Sequence, residues 1–139
     1  MTNGSLAFSY LVKARSRLKI LPVLRADLNY SDVVRESQEL VELALKGMLR
    51  QVGIEPPRLH DVGEMLREHR ERFPDAVRPH IDRLAEISAW LRKEREFSFY
   101  GDIDFIPTEQ YSAQDADRAM EAAAFTVGVA GDTVLPPGK

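Results

Sequence analysis

Apolar residues recur along most of the chain at three- and four-residue steps, the period of amphipathic helices. In the first segment Leu6, Tyr10, Leu11, Ala14, Leu18 and Leu21 share one face, while Lys13, Arg15, Arg17 and Lys19 fall on the other. Pro22 limits this helix near its end, because proline cannot donate to the preceding turn. A second helix starts near Ser31 or Asp32, either of which can cap it. Its broad apolar stripe runs from Val33 through Leu40, Val41, Leu45 and Met48 to Val52. Gly53 is a good left-handed terminator, and Glu55-Pro56-Pro57 then forces an extended connection.

Asp61 with Glu64 three residues on predicts a capping box, opening a shorter third helix over about 62–72. Phe73-Pro74 breaks it. A fourth helix follows with Val77, Ile81, Leu84, Ile87 and Leu91 on one face, and Pro79 stands where a first turn tolerates it. From Phe97 to Thr108 the period stops and the aromatics suggest an ordered loop. Ser112 with Asp115 is a second capping box, opening a last helix whose face (Ala116, Ala119, Met120, Ala123, Val127) is narrow enough for close helix approach. No internal repeat or low-complexity tract appears. The pattern predicts an all-α protein, an antiparallel four- to five-helix bundle with up-and-down connections. The bundle is expected over residues 5–128 and a flexible tail over 129–139. Leu11, Leu18, Val41, Leu45, Met48, Ile81, Leu84 and Leu91 are the expected core.

Composition narrows the class. Apolar residues make up 44% and charged residues 29% of 139, which excludes a disordered chain and a membrane-spanning one. Net charge is −3, unlike the strongly basic balance usual for nucleic-acid proteins. Residues 1–26 nonetheless hold Lys13, Arg15, Arg17, Lys19 and Arg25 with no acid, and residues 102–121 are acidic apart from Arg118. These two segments can complement each other within the fold or across a dimer. Cysteine is absent, so disulfides and thiolate chemistry are excluded. That, and the lack of a basic segment followed by an apolar core at Met1-Thr2-Asn3-Gly4-Ser5, suit a cytoplasmic protein without a membrane role.

Three histidines are the candidate chemistry. His60, His69 and His80 lack the paired spacing of a zinc-protease helix, and the sequence calls for no metal and no cofactor. His60 precedes Asp61 at an expected helix start, where it either contacts a ligand or packs on the proline turn. No glycine-rich phosphate loop exists, since Gly47, Gly53 and Gly63 are isolated.

Several of these features occur together in one known family. Glu42 and Lys46 form a Glu-x3-Lys helix end, Gly53 with Pro56 and Pro57 a Gly-x2-Pro-Pro turn, and His60-Asp61 follows. In this order, and with the capped alanine-rich last helix after Tyr111, they resemble the prokaryotic HEPN domain (higher eukaryotes and prokaryotes nucleotide-binding) over residues 5–128. The resemblance implies a helical bundle that forms a homodimer and binds a nucleotide or RNA. It also implies a small nucleotidyltransferase as partner, in a toxin–antitoxin-like pair.

Active members of that family are metal-independent endoribonucleases built on an arginine followed, after about four to six residues, by a histidine. Here the positions before His60 are Glu55, Ile54 and Gly53; before His69, Glu64, Gly63 and Val62; before His80, Asp75, Pro74 and Phe73. None is arginine, so the reading is a noncatalytic member. A looser likeness to the family's Arg-Tyr-Pro-Asp segment is Arg95 with Tyr100 and Asp102. The expected nucleotide or RNA contacts are Lys46, Arg50, His60, Asp61, Arg95 and Tyr100. Lys46 and Arg50 can instead pair with Glu42 and Glu39 on a solvated face. Two other readings compete: a ribonuclease toxin with an unconventional site, His60 with Arg95 or Arg92, and a purely structural interaction protein.

Overall fold

A computed structural model describes residues 3–138. Met1 and Thr2, which open the segment read for a leader, and Lys139, the end of the expected tail, lie outside the described residues. The long helices are α1 (Asn3–Leu18), α3 (Tyr30–Gln51), α5 (Ile81–Phe99) and α7 (Ala113–Thr133), with short α2 (Leu21–Ala26), α4 (Gly63–Glu68) and α6 (Pro107–Gln110) in the connections. Central α3 packs on α1, α5 and α7, which makes the all-α bundle. Among the described residues the only β pairing is the isolated Asp102–Phe105 bridge.

The second helix ends as its sequence dictates. Gly53 takes φ +84. Its N–H bonds the Arg50 carbonyl at 3.0 Å, and the Ile54 N–H bonds the Leu49 carbonyl at 2.9 Å. That is a Schellman end, and it turns the chain toward the loop that carries His60. At α7, Ser112 and Asp115 form the expected capping box in both directions.

Five expectations are corrected. Pro22 does more than stop the first helix: it occupies the first turn of α2, where its missing N–H costs nothing. Asp61 and Glu64 form no capping box. Asp61 accepts from the Gly63 N–H and the Ser88 hydroxyl instead, and the helix shrinks to α4 with a 3-10 turn at Arg70–Arg72. The aromatic loop starts later, because α5 runs through Phe97 to Phe99. The boundary expected between 128 and 129 falls inside α7, which continues to Thr133 with Val129, Ala130 and Val134 buried. Of the expected core, Leu18 is only partly buried, whereas Leu11, Val41, Leu45, Met48, Ile81, Leu84 and Leu91 are buried.

The small-residue face of α7 is used internally. Ala116, Ala119 and Ala123 are fully buried, and α7 packs chiefly on α3. The close helix approach that this narrow face allows is therefore made within the chain. No helix among the described residues is long and apolar enough to cross a membrane.

Candidate functional site

Three of the six sequence-predicted residues, Lys46, His60 and Arg95, meet at one stripe of α3. Gln38, Glu42 and Lys46 stand four residues apart and so share a face. Glu42 sits at the centre. Its Oε1 accepts from Gln38 Nε2 at 2.9 Å and lies 2.8 Å from His60 Nδ1, while its Oε2 takes Lys46 Nζ at 2.9 Å. Burial pushes the Glu42 carboxyl up, but the donors Gln38, Lys46 and His60 outweigh it and hold the group below the usual carboxylate range. A carboxylate at this distance requires the proton on His60 Nδ1.

The stripe extends toward α5. Arg95 donates to the Gln38 side-chain oxygen and, at 2.8 Å, to Glu39, which also takes Arg35 at 2.9 Å. The Arg35 guanidinium lies 4.9 Å from the centre of the Phe99 ring, and Phe99 meets Tyr100 edge to face at 4.7 Å. Phe99 is 49% and Tyr100 77% exposed. The stripe thus holds Arg35, Lys46 and Arg95 against Glu39 and Glu42, and ends in two open aromatic faces. Fixed cations beside exposed rings are the elements of a surface for phosphates and stacked bases.

Two predicted residues stand apart. Asp61 Oδ1 is taken by Gly63 N–H at 2.9 Å and Ser88 Oγ at 2.7 Å, so it fastens the His60 turn to α5. A Cβ on Gly63 would meet the Ala85 backbone at 2.9 Å, which shows how closely that turn lies against α5. Arg50 is one turn beyond Lys46 but points away from Glu42. Its guanidinium lies 5.6 Å from the Tyr10 ring centre, and its buried Nε has no hydrogen-bond partner. The alternative pairing is therefore half realised: Lys46 pairs with Glu42, but Glu39 is held by Arg35 and Arg95. The basic first segment also meets acids inside the fold, through Arg17–Glu36 at 2.7 Å and Arg25–Asp117 at 2.8 Å.

Gln38 and Arg35 were missed from sequence, although the four-residue steps Gln38–Glu42 and Arg35–Glu39 carried the signal. Also missed was a groove of about 240 Å³ between α5 and α7. There Arg118 of α7 lies 3.9 Å from the Trp90 ring centre on α5, and Arg83 of α5 lies 3.8 Å from the Phe125 ring centre on α7.

The sequence profile of the family described as HEPN domain matches residues 9–128. The crystal structure of an archaeal HEPN homologue is similar to this chain, with a TM-score of 0.71 and 23% identity, over 93% of this chain and 98% of that one. No curated protein matches.

Proposed function

Because this chain belongs to the HEPN domain family, whose function is nucleotide- or RNA-related in general, we propose that it is a noncatalytic, homodimeric member that binds a nucleotide or RNA along the α3–α5 stripe. The observation that carries the reading is the row of Lys46, Arg95 and Arg35, held by Glu42, Gln38 and Glu39 and ending at Phe99 and Tyr100. Cations placed in this way supply salt-dependent affinity for phosphates. Open rings supply stacking that tolerates any base.

The noncatalytic part rests on His60. Its ring partner is a carboxylate, and the Arg95 guanidinium is engaged by Gln38 and Glu39. No arginine precedes His60 with four to six residues between, where Gly53, Ile54 and Glu55 stand. A small nucleotidyltransferase, in a toxin–antitoxin-like pair, is the partner that the family likeness supports.

The test is anisotropy titration with a labelled single-stranded RNA and, in competition, ATP. Tyr100→Ala is expected to weaken RNA binding by about 5–100-fold, the effect of losing one stacked base. Lys46→Ala is expected to weaken it and to flatten its salt dependence. Wild-type affinity in both variants overturns the reading.

A further inference from the structure

A small pocket opens where α5, α7 and the segment before α7 meet. Trp90 and Glu94, four residues apart, share one face of α5, and Asp115 and Arg118, three apart, share one face of α7. Phe105 and Tyr111 wall the pocket from the intervening segment, edge to face at 5.8 Å. Its volume is about 260 Å³. That lies below the roughly 300–1,000 Å³ of sites for drug-sized ligands, so the pocket suits a small occupant.

Its carboxylates are fixed by the fold, and each keeps a free oxygen. Glu94 Oε2 accepts from the Tyr111 hydroxyl at 2.7 Å, and Asp115 Oδ2 accepts from the Ser112 N–H at 2.8 Å. Burial and the Glu94 carboxylate push the Tyr111 phenol up, so it stays a donor. Among the described residues, Glu94 Oε1 and Asp115 Oδ1 have no hydrogen-bond partner, and Arg118 has neither a hydrogen bond nor a carboxylate within 4.0 Å. Asp115 stands one turn from Arg118 on the same helix, where such pairs commonly form. The guanidinium instead lies over the Trp90 ring, 3.9 Å from its centre. A stacked guanidinium keeps its in-plane N–H donors for a carboxylate.

The pocket therefore holds opposite charges that do not satisfy each other. A phosphate would meet two carboxylates. A simple cation would leave Arg118 without a partner, and a simple anion would leave Glu94 and Asp115 without one. We propose that the pocket binds a small zwitterion of the amino-acid class, its carboxylate on Arg118 and its ammonium on Glu94 and Asp115. The faces of the wall rings attract the ammonium as well. None of these six residues belongs to the α3–α5 stripe, so this site and the RNA surface fail or hold separately.

Trp90 is the single tryptophan and stands in the pocket wall. The test titrates the full chain to millimolar concentration with each common L-amino acid. Trp90 emission is read together with calorimetric heat, so that a ligand silent in emission is still counted. At least one amino acid is expected to bind saturably. Its analogues lacking only the carboxylate or only the amino group are expected to bind about tenfold or more weakly, the worth of one charge-assisted hydrogen bond. Arg118→Gln and Glu94→Gln are expected to weaken binding similarly. Arg118 is exposed and a glutamine at 94 still accepts from Tyr111, so both variants should keep the fold, which circular dichroism checks. No binding by any amino acid overturns the proposal. So does an analogue lacking either charge that binds as well as the amino acid, or wild-type affinity in either variant.

Discussion

His60 and Glu42, eighteen positions apart in sequence, meet at 2.8 Å between Nδ1 and Oε1. The contact joins the loop after α3 to the middle of α3 itself. It makes Glu42 the acceptor for three side chains, and it directs His60 toward a carboxylate. Both the acid stability of the domain and its chemistry follow from this pairing.

Glu42 has a direct pH consequence. Its carboxyl is held below the usual range in the folded chain, whereas the unfolded chain returns it to about 4.3. A lowered folded value means stability present above the unfolded value and lost as pH falls through the folded one. Glu42→Gln should therefore unfold at lower denaturant than wild type near neutral pH, with the gap closing below about pH 4. A gap that stays constant from neutral to acid would show that Glu42 ionisation contributes nothing.

Gly63 fixes how closely the His60 turn can approach α5. Any Cβ there meets Ala85 backbone atoms at 2.9–3.0 Å, and backbone cannot swing aside as a side chain can. Gly63→Ala should cost about 1–3 kcal/mol, the range for an overfilled core. It should also loosen the Asp61–Ser88 contact beside it. Equal stability of variant and wild type in denaturant titration would mean that the two helices separate freely.

Leu45 tests the core. It is fully buried on the face of α3 that meets the other helices, and its truncation leaves a void that close-packed neighbours fill only in part. Leu45→Ala should cost about 2–5 kcal/mol. A change below about 0.5 kcal/mol, the scale of a surface substitution, would remove Leu45 from the core.

Local chemistry was legible in the sequence; long-range partnership was not. Ser112 and Asp115 satisfy each other within one turn, and Gly53 needs only its own backbone conformation, so both ends of the pattern could be read directly. Asp61 offered the same local signal, but Ser88, 27 residues away, supplied a stronger competitor for its carboxylate. The tail was expected to begin at residue 129, yet α7 continues to Thr133 because Val129, Ala130 and Val134 have a core to enter. The candidate site was half visible: Lys46, His60 and Arg95 were named, while Gln38, which joins Arg95 to Glu42, is a buried polar residue whose role depends on both neighbours. The exchanged Arg83–Phe125 and Arg118–Trp90 stacks require the antiparallel register of α5 and α7, which spacing along one helix does not contain.

The last prediction concerns RNA cleavage. Metal-independent cleavage needs a proton acceptor, a proton donor and a cation beside the developing phosphorane charge. A histidine serves the first two roles well. The third is the arginine that the family's ribonucleases carry with four to six residues between it and the histidine, and before His60 those positions hold Gly53, Ile54 and Glu55. Such a positioned donor is commonly worth about 2.7–4 kcal/mol in the transition state, a loss of roughly a hundred- to a thousandfold in rate. Purified protein and the His60→Ala variant should therefore leave single-stranded RNA equally intact under metal-free conditions. Robust cleavage by wild type that disappears in the variant would overturn the noncatalytic reading and make His60 a catalytic residue.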